Sequence, residues 1–327
     1  MKIAIIGSGI AGNVAAYHLN KEHDITLFEQ NSHIGGHTHT HSIDDAAGDL
    51  NIDTGFIVLN DRTYPNFIKL LEDLEVDIQE TEMSFSVKCE NTGLEYNGNN
   101  LNTLFAQRSN LFSPVFYMMI SDILRFNREA TEAINSTDND QSLGEFLDRG
   151  NYSEIFINKY IVPMGAAIWS TRPEGMFAFP ARFFFRFFLN HGLLSVNNRP
   201  QWYVIKGGSN SYVKKLIAGF EHRIRTDCPV ENIVRYDDHV EVHSSSHGIE
   251  RFDYVFIASH SDQALNMLQH PSTVERETLS AIEYQKNEAV LHTDRSLLPV
   301  RKKAWASWNY HIPEDARSNV ALTYNMN

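Results

Sequence analysis

The strongest constraint on the fold lies in the first 29 residues. "KIAII" is a short, β-branched, uniformly apolar run, as expected for a parallel strand buried on both faces, and "GSGIAG" follows it directly. Beyond the glycines, Ile10, Ala11, Val14, Ala15 and Leu19 recur at helical spacing, and "DITLFEQ" reads as a second strand. Strand, glycine turn, helix and strand in this order make a βαβ unit, which predicts an α/β chain with a Rossmann-like nucleotide domain.

Each glycine of the turn has a mechanical use. Gly7 permits the tight bend, Gly9 lets a pyrophosphate approach the backbone, and Gly12 lets helix and strand pack closely. The helix then offers unpaired N–H groups and its positive dipole end to the phosphates. Glu29 closes the second strand 22 positions after Gly7, where a carboxylate accepts hydrogen bonds from ribose hydroxyls. The same carboxylate repels a 2′-phosphate, so FAD or NAD is favoured over NADP.

From about residue 60 to 200 the pattern is helical, in "YPNFIKLLEDLEV", "PVFYMMISDILRFNREATEAI", "QSLGEFLDRG" and "SEIFINKYIVPMGAAIWS". The aromatic "MFAFPARFFFRFFLNHGLL" reads most simply as a helix packed into the core, and more sharply as the lining of an apolar substrate channel. After about residue 203 strand patterns return in "WYVIKGG", "VENIVRY", "HVEVHSSS" and "RFDYVFIAS", with a helix through "SYVKKLIAGF". "NEAVLHTDRSLLP" and "KAWASWNYH" are again strand-like. The expected division is a discontinuous nucleotide domain, residues 1–60 and 203–270, interleaved with an α+β substrate domain, 61–202 and 271–327, that contains the helical insertion.

Composition excludes several classes. A formal net charge of -13, with no dense Lys/Arg tract, repels a nucleic-acid backbone. Cys89 and Cys228 are far apart and outside any CxxC spacing, which argues against a disulfide framework or thiolate metal site and for a reducing, cytoplasmic setting. "IAII" is broken by glycines and lacks the features of a signal peptide, and no run approaches the roughly 18 apolar residues of a membrane span. A serine hydrolase would need a GxSxG elbow, and the chain has none.

"GSGIAG", the acidic strand end, "IGGHT" at 34–38 and "DTGF" at 53–56 resemble the N-terminal fingerprint of the flavin amine oxidase superfamily, in which a glycine pair after the ribose-binding acid marks FAD. "PMGAAIWST", "NHGLL", "RPQWYVIKGGSNSYV", "NEAVLHTD", "LLPVRKKAWASWNY" and "LTYNMN" extend the likeness along the whole chain. They resemble, more narrowly, bacterial predicted FAD-binding oxidoreductases that often occur beside methyltransferases of the cyclopropane-fatty-acid synthase type. The resemblance implies that Gly7, Gly9, Ile10, Ala11 and Gly12 hold the pyrophosphate, with Glu29 on the adenosine ribose and Gln30 beside it. It implies further that Gly35, Gly36, His37 and Thr38 follow the pyrophosphate and ribityl chain. Gly55 and Phe56 would approach the flavin ring, and the Val230 backbone would meet the adenine edge.

Three departures refine this expectation. His37 stands where the superfamily usually has arginine, so a permanent positive charge is replaced by one that depends on pH. The lysine common in amine-oxidising members has no counterpart in register, since the vicinity reads Asn287, Glu288 and Ala289 with Lys286 displaced, and this weighs against amine oxidation. The chain stops on the strand-like "VALTYNMN", where superfamily members continue, and truncation is the expected explanation.

His37, His39 and His41 alternate, and in an extended segment they would share one face at about 7 Å spacing, with His33 and Asp44 or Asp45 as further ligands of a metal. The role of the segment as a flavin-binding turn argues against that, and no metal is expected. "GGSNSY" at 207–212 lacks GxGxxG spacing and reads as a helix start capped by Ser209. With no second dinucleotide motif, the expected electron acceptor is oxygen or a quinone-like molecule. The expectation is thus an FAD-dependent oxidoreductase taking a small apolar substrate, an acyl chain or other lipid by family resemblance, with peripheral membrane contact as a corollary. Amine oxidation is the alternative, and a non-catalytic FAD-carrying protein the alternative from another class.

Overall fold

A computed structural model describes residues 1–45, 48–134, 141–197, 199–314 and 321–325. They fall into two compact units, each assembled from separated stretches of chain. One comprises Met1–Val58, Asn66–Gln79 and Val204–Val290, and the other Leu59–Pro65, Glu80–Tyr203 and Leu291–Asn327.

The first unit is built on a parallel sheet in the order Ile224–Arg225, Asp24–Phe28, Lys2–Ile6, Tyr254–Ile257. Ile3 lies beside Ile25 on one side and Tyr254 on the other. Residues 3 to 6 are all buried, which is why this strand is apolar throughout Ile3–Ile6 instead of alternating. The helix Ile10–Leu19 carries the chain from Lys2–Ile6 to the parallel strand Asp24–Phe28. Strands Val230–Arg235, Val240–Ser244 and Gly248–Phe252 form a separate antiparallel sheet. Ala4 and Phe28 of the parallel sheet pack with Cys228, Val242 and Phe252 in one buried cluster. A hairpin of Thr40–Asp45 with Gly48–Asp53 completes the strands that matter for the site.

The second unit has a mixed sheet in the order Ala321–Tyr324, Trp308–Ile312, Phe85–Cys89, Leu94–Asn97, with Trp308 paired in parallel to Phe85. Its helices include Pro114–Ile134, Leu143–Arg149, Val162–Trp169 and Ala181–Asn190. The Phe126 ring meets those of Phe146, Tyr152, Phe156, Phe184 and Phe185 at centroid distances of 5.4 to 6.4 Å. Such offset and edge-to-face contacts add to the burial of each ring. Phe184, Phe185 and Phe188 are at most 1% exposed, so at these positions the aromatic run is core and not channel lining. Phe183 and Leu189 lie on the outer side of the same helix.

The α/β class and most helices match the sequence reading, and several elements correct it. Phe85–Cys89 and Leu94–Asn97 are strands inside the stretch read as helical: they pair with each other as a hairpin, and Phe85–Cys89 pairs further with Trp308–Ile312, more than 200 residues away in sequence. "NEAVLHTDRSLLP" forms no strand. Val290 and Leu291 are exposed there, no neighbouring strand among the described residues takes up the backbone groups, and a single 3₁₀ turn occupies Arg295–Leu297. "KAWASWNYH" begins with a 3₁₀ turn, Lys302–Ala304, and becomes strand at Trp308. No helix among the described residues is long and apolar enough to cross a membrane.

Candidate functional site

The glycine turn is held by close backbone contacts. The Gly7 N–H donates to the Phe28 carbonyl at 2.8 Å, and with φ at +99° the residue occupies a region costly for any side chain. A Cβ on Gly7 would stand 2.7 Å from the Ala258 carbonyl oxygen, and one on Gly12 would stand 1.8 Å from that of Gly7. Gly9 differs: a Cβ there would meet nothing within 4 Å. The helix behind it starts without a side-chain cap and without an acidic residue in its first turn, and Ile10 and Ala11 are exposed. This leaves open space beside uncapped N–H donors, the geometry that accepts phosphate oxygens.

Glu29, 6% exposed, directly follows the second strand, with every acceptor position of its carboxylate in use. Oε2 accepts from the Ser8 N–H at 2.9 Å and the Ser8 hydroxyl at 2.7 Å, and Oε1 from the Asn31 N–H at 2.9 Å and Nδ2 at 3.1 Å. The Ser8 hydroxyl also accepts from the Gly35 N–H at 3.3 Å, so one residue joins Glu29 to the glycine pair. Gln30 beside it is exposed. The Cys228 N–H donates to the Glu29 carbonyl at 2.9 Å, which brings the following strand, beginning at Val230, to the same end of the sheet.

Gly36 touches the turn itself, since its Cβ would stand 2.8 Å from the Gly9 Cα. A Cβ on Gly55 would be 1.8 Å from the His37 carbonyl oxygen, and the Phe56 N–H donates to that oxygen at 2.9 Å. Residues 35 to 38 and 55 to 56 therefore form one assembly on Gly9. Buried Asp53 locks it: its carboxylate accepts from the Thr40 hydroxyl at 2.5 Å and from the Ser209 N–H and hydroxyl at 3.0 Å. The Ser209 hydroxyl oxygen also lies 2.9 Å from the Phe56 carbonyl oxygen, so its single proton is shared between that acceptor and the Asp53 carboxylate. Ser209 thus stands at the start of helix Asn210–Ile217 without capping it by its side chain, contrary to the sequence expectation, because Asp53 and Phe56 engage that hydroxyl. The Asn210 N–H instead finds the Thr40 hydroxyl at 2.9 Å. Thr38 and Tyr212 share a hydroxyl contact of 2.6 Å, and burial pushes the Tyr212 phenol up, keeping its proton.

The histidines divide. His39 stacks between His33 and His41 with ring centroids 4.2 Å apart on each side, while His37 turns to His260 at 5.6 Å. The expected shared face of His37, His39 and His41 is therefore not formed. Among the described residues no group of three or more His, Cys, Asp or Glu converges on a metal position. Asp44 lies in strand Thr40–Asp45, and the side chain of Asp45 lies outside the described residues. Burial, then the nearby His33 and His41, hold His39 below the ordinary histidine range.

A family model for flavin containing amine oxidoreductases matches residues 10–300. The chain belongs to this family. No curated protein matches it. Among solved structures this flavin oxidoreductase is similar to cyclohexylamine oxidase from Brevibacterium oxydans IH-35A, with 17% identity over 85% of this chain and 62% of that one and a TM-score of 0.63. Putrescine oxidase bound to putrescine gives 17%, 86%, 63% and 0.61. A fatty acid isomerase from P. acnes gives 18%, 85%, 63% and 0.57. At these identities the likeness is one of fold, and the chain spans just over three fifths of the length of these structures.

The family's cofactor is FAD, and the residues present fit it. The open flank of Gly9 and the uncapped helix start suit a diphosphate. At Glu29 two of the four donors are backbone N–H groups fixed in place, whereas the Ser8 hydroxyl and the Asn31 amide are side chains that ribose hydroxyls can displace. Ser8 and Asn31 were invisible to motif reasoning, since Ser8 fills a free position of GxGxxG. The short polar residue two places after Glu29 was the available signal for Asn31.

Proposed function

We propose that the chain is an FAD-dependent oxidoreductase acting on a small apolar substrate, with an acyl chain or other lipid as the first candidate class. The observation that carries the cofactor half is the joint held by Ser8, which links Glu29 to Gly35 beside the open flank of Gly9. In this reading Gly7, Gly9, Ile10, Ala11 and Gly12 hold the diphosphate, Glu29 and Gln30 the adenosine ribose, and the Val230 backbone the adenine. Gly35, Gly36, His37 and Thr38 follow the ribityl chain, and Gly55 and Phe56 approach the flavin.

When bound, FAD supplies the redox chemistry by accepting a hydride equivalent at flavin N5. The chain's own part is orientation. Asp53, Ser209 and Phe67 fix Phe56, whose ring meets that of Phe67 edge-on at 5.3 Å, so this aromatic side chain is pre-placed and not free to collapse. The likeness to a fatty acid isomerase supports an apolar substrate. Oxygen or a quinone-like molecule is the proposed acceptor. Two free, buried cysteines agree with a reducing, cytoplasmic setting.

Amine oxidation is the second reading, favoured by the likeness to cyclohexylamine and putrescine oxidases. Purified chain titrated with FAD should show a bound-flavin visible spectrum, and its absence overturns the cofactor assignment. Anaerobic bleaching by fatty acids or their esters but not by amines supports the first reading, and the reverse pattern replaces it with the second.

A further inference from the structure

The cradle must hold an anionic diphosphate, yet residues 3–20, 22–61 and 252–275, which contribute the glycine turn, the glycine pair and the strand end beside Gly7, contain neither lysine nor arginine. The Asn13 and Asn31 amides are already engaged by the Ser8 carbonyl and the Glu29 carboxylate, so a side-chain donor able to carry charge must be an imidazole. Two imidazoles stand at the turn. His37 follows Gly36, which packs on Gly9, and His260 lies two residues past Ala258, whose carbonyl oxygen closes on Gly7. Their ring centroids are 5.6 Å apart. Among the described residues, histidine ion pairs with carboxylates occur at His239, His243 and His311 and at neither of these two.

His260 is also oriented. The Tyr284 ring covers one of its faces in a nearly parallel stack, with centroids 4.3 Å apart and planes at 7°, and the Tyr284 hydroxyl is itself fixed by the Ser261 N–H at 3.1 Å. A stacked, carboxylate-free imidazole keeps an N–H for an external acceptor, and a protonated one adds a charge. Half-buried His260 also stands at the start of helix Ser261–Met267, where its backbone N–H donates to the Gln263 side chain at 3.3 Å; that capping role uses at most one ring nitrogen and leaves the other for an external acceptor. Resting on the FAD reading above, we infer that His260, paired with His37 and positioned by Tyr284, is a diphosphate-binding residue that supplies the donors which lysine or arginine would otherwise give the cradle.

The test is equilibrium binding, read by flavin fluorescence and by competition with ADP and with adenosine. His260→Ala should weaken FAD and ADP by about tenfold or more, the expectation for losing a hydrogen bond to a charged group. It should leave adenosine unchanged. His260→Arg should bind FAD and ADP as well as the wild type or better, which guards against a folding defect in the alanine variant. Tyr284→Ala should fall between them. Equal FAD affinity in His260→Ala, or a loss that extends to adenosine and is not rescued by arginine, overturns the inference while leaving FAD binding intact. Failure of the wild-type chain to bind FAD fails the cofactor reading itself, and this inference with it.

Discussion

The glycine cradle of the first unit and the aromatic core of the second are both dense, and they are dense for different reasons. Around Gly7, Gly12 and Gly55 the packing is backbone on backbone, with approaches that exclude even one methyl group. Around Phe126 it is ring on ring, and the neighbours come from several helices with side chains that can shift. A backbone contact has no rotamer to relax, whereas a core of side chains can partly refill a hole. The cradle should therefore respond to the smallest additions, and the core to losses of volume.

Gly12→Val sets the upper end of that comparison. Its Cβ would lie 1.8 Å from the Gly7 carbonyl oxygen, so strand and helix must separate, and the destabilisation should exceed about 4 kcal/mol. Denaturant unfolding reads this directly. A variant that unfolds at the wild-type midpoint would show that the helix does not depend on this contact. Phe126→Ala comes next, with an expected cost of about 3 to 5 kcal/mol, because its ring is fully buried and leaves a cavity among aromatic neighbours. A cost below about 1 kcal/mol would mean that the second unit's core refills as a loosely packed one does.

The same contrast explains what could be read in advance. The turn, its helix and Glu29 lie within 29 consecutive residues and follow from local rules of spacing, so they were legible. The lock on Phe56 was not, because Asp53 reaches Ser209 across 156 positions and Thr38 reaches Tyr212 across 174. Ser209 shows the cost of purely local reading: its position at a helix start suggested a cap, and a distant carboxylate claimed the hydroxyl. The strand Phe85–Cys89 was missed for a related reason, as its alternating pattern is only five residues long and is held as a strand by Leu94–Asn97 on one side and distant Trp308–Ile312 on the other. His260 carries no motif at all and gains meaning through its neighbours His37 and Tyr284.

The smallest expected effect lies at the edge of the cradle, where side-chain rings meet backbone strictness. His33, His39 and His41 form a stacked ladder, and the His33 ring also contacts the Thr38 carbonyl at 3.0 Å, next to the segment that packs on Gly9. His39 is held below its ordinary range first by burial and then by its two imidazole neighbours, so the folded chain takes up this proton less readily than the unfolded chain. Stability from this site is therefore fully present above the unfolded value, about pH 6.5, and is lost as pH falls from there toward the lower folded value. His39→Phe keeps a ring in the stack and removes the titrating nitrogen. Between about pH 7.5 and about pH 5.5 the wild type should lose more of its melting temperature than this variant does. Parallel losses would mean that the ladder relaxes freely on protonation, and that the backbone strictness of the cradle ends at Thr38.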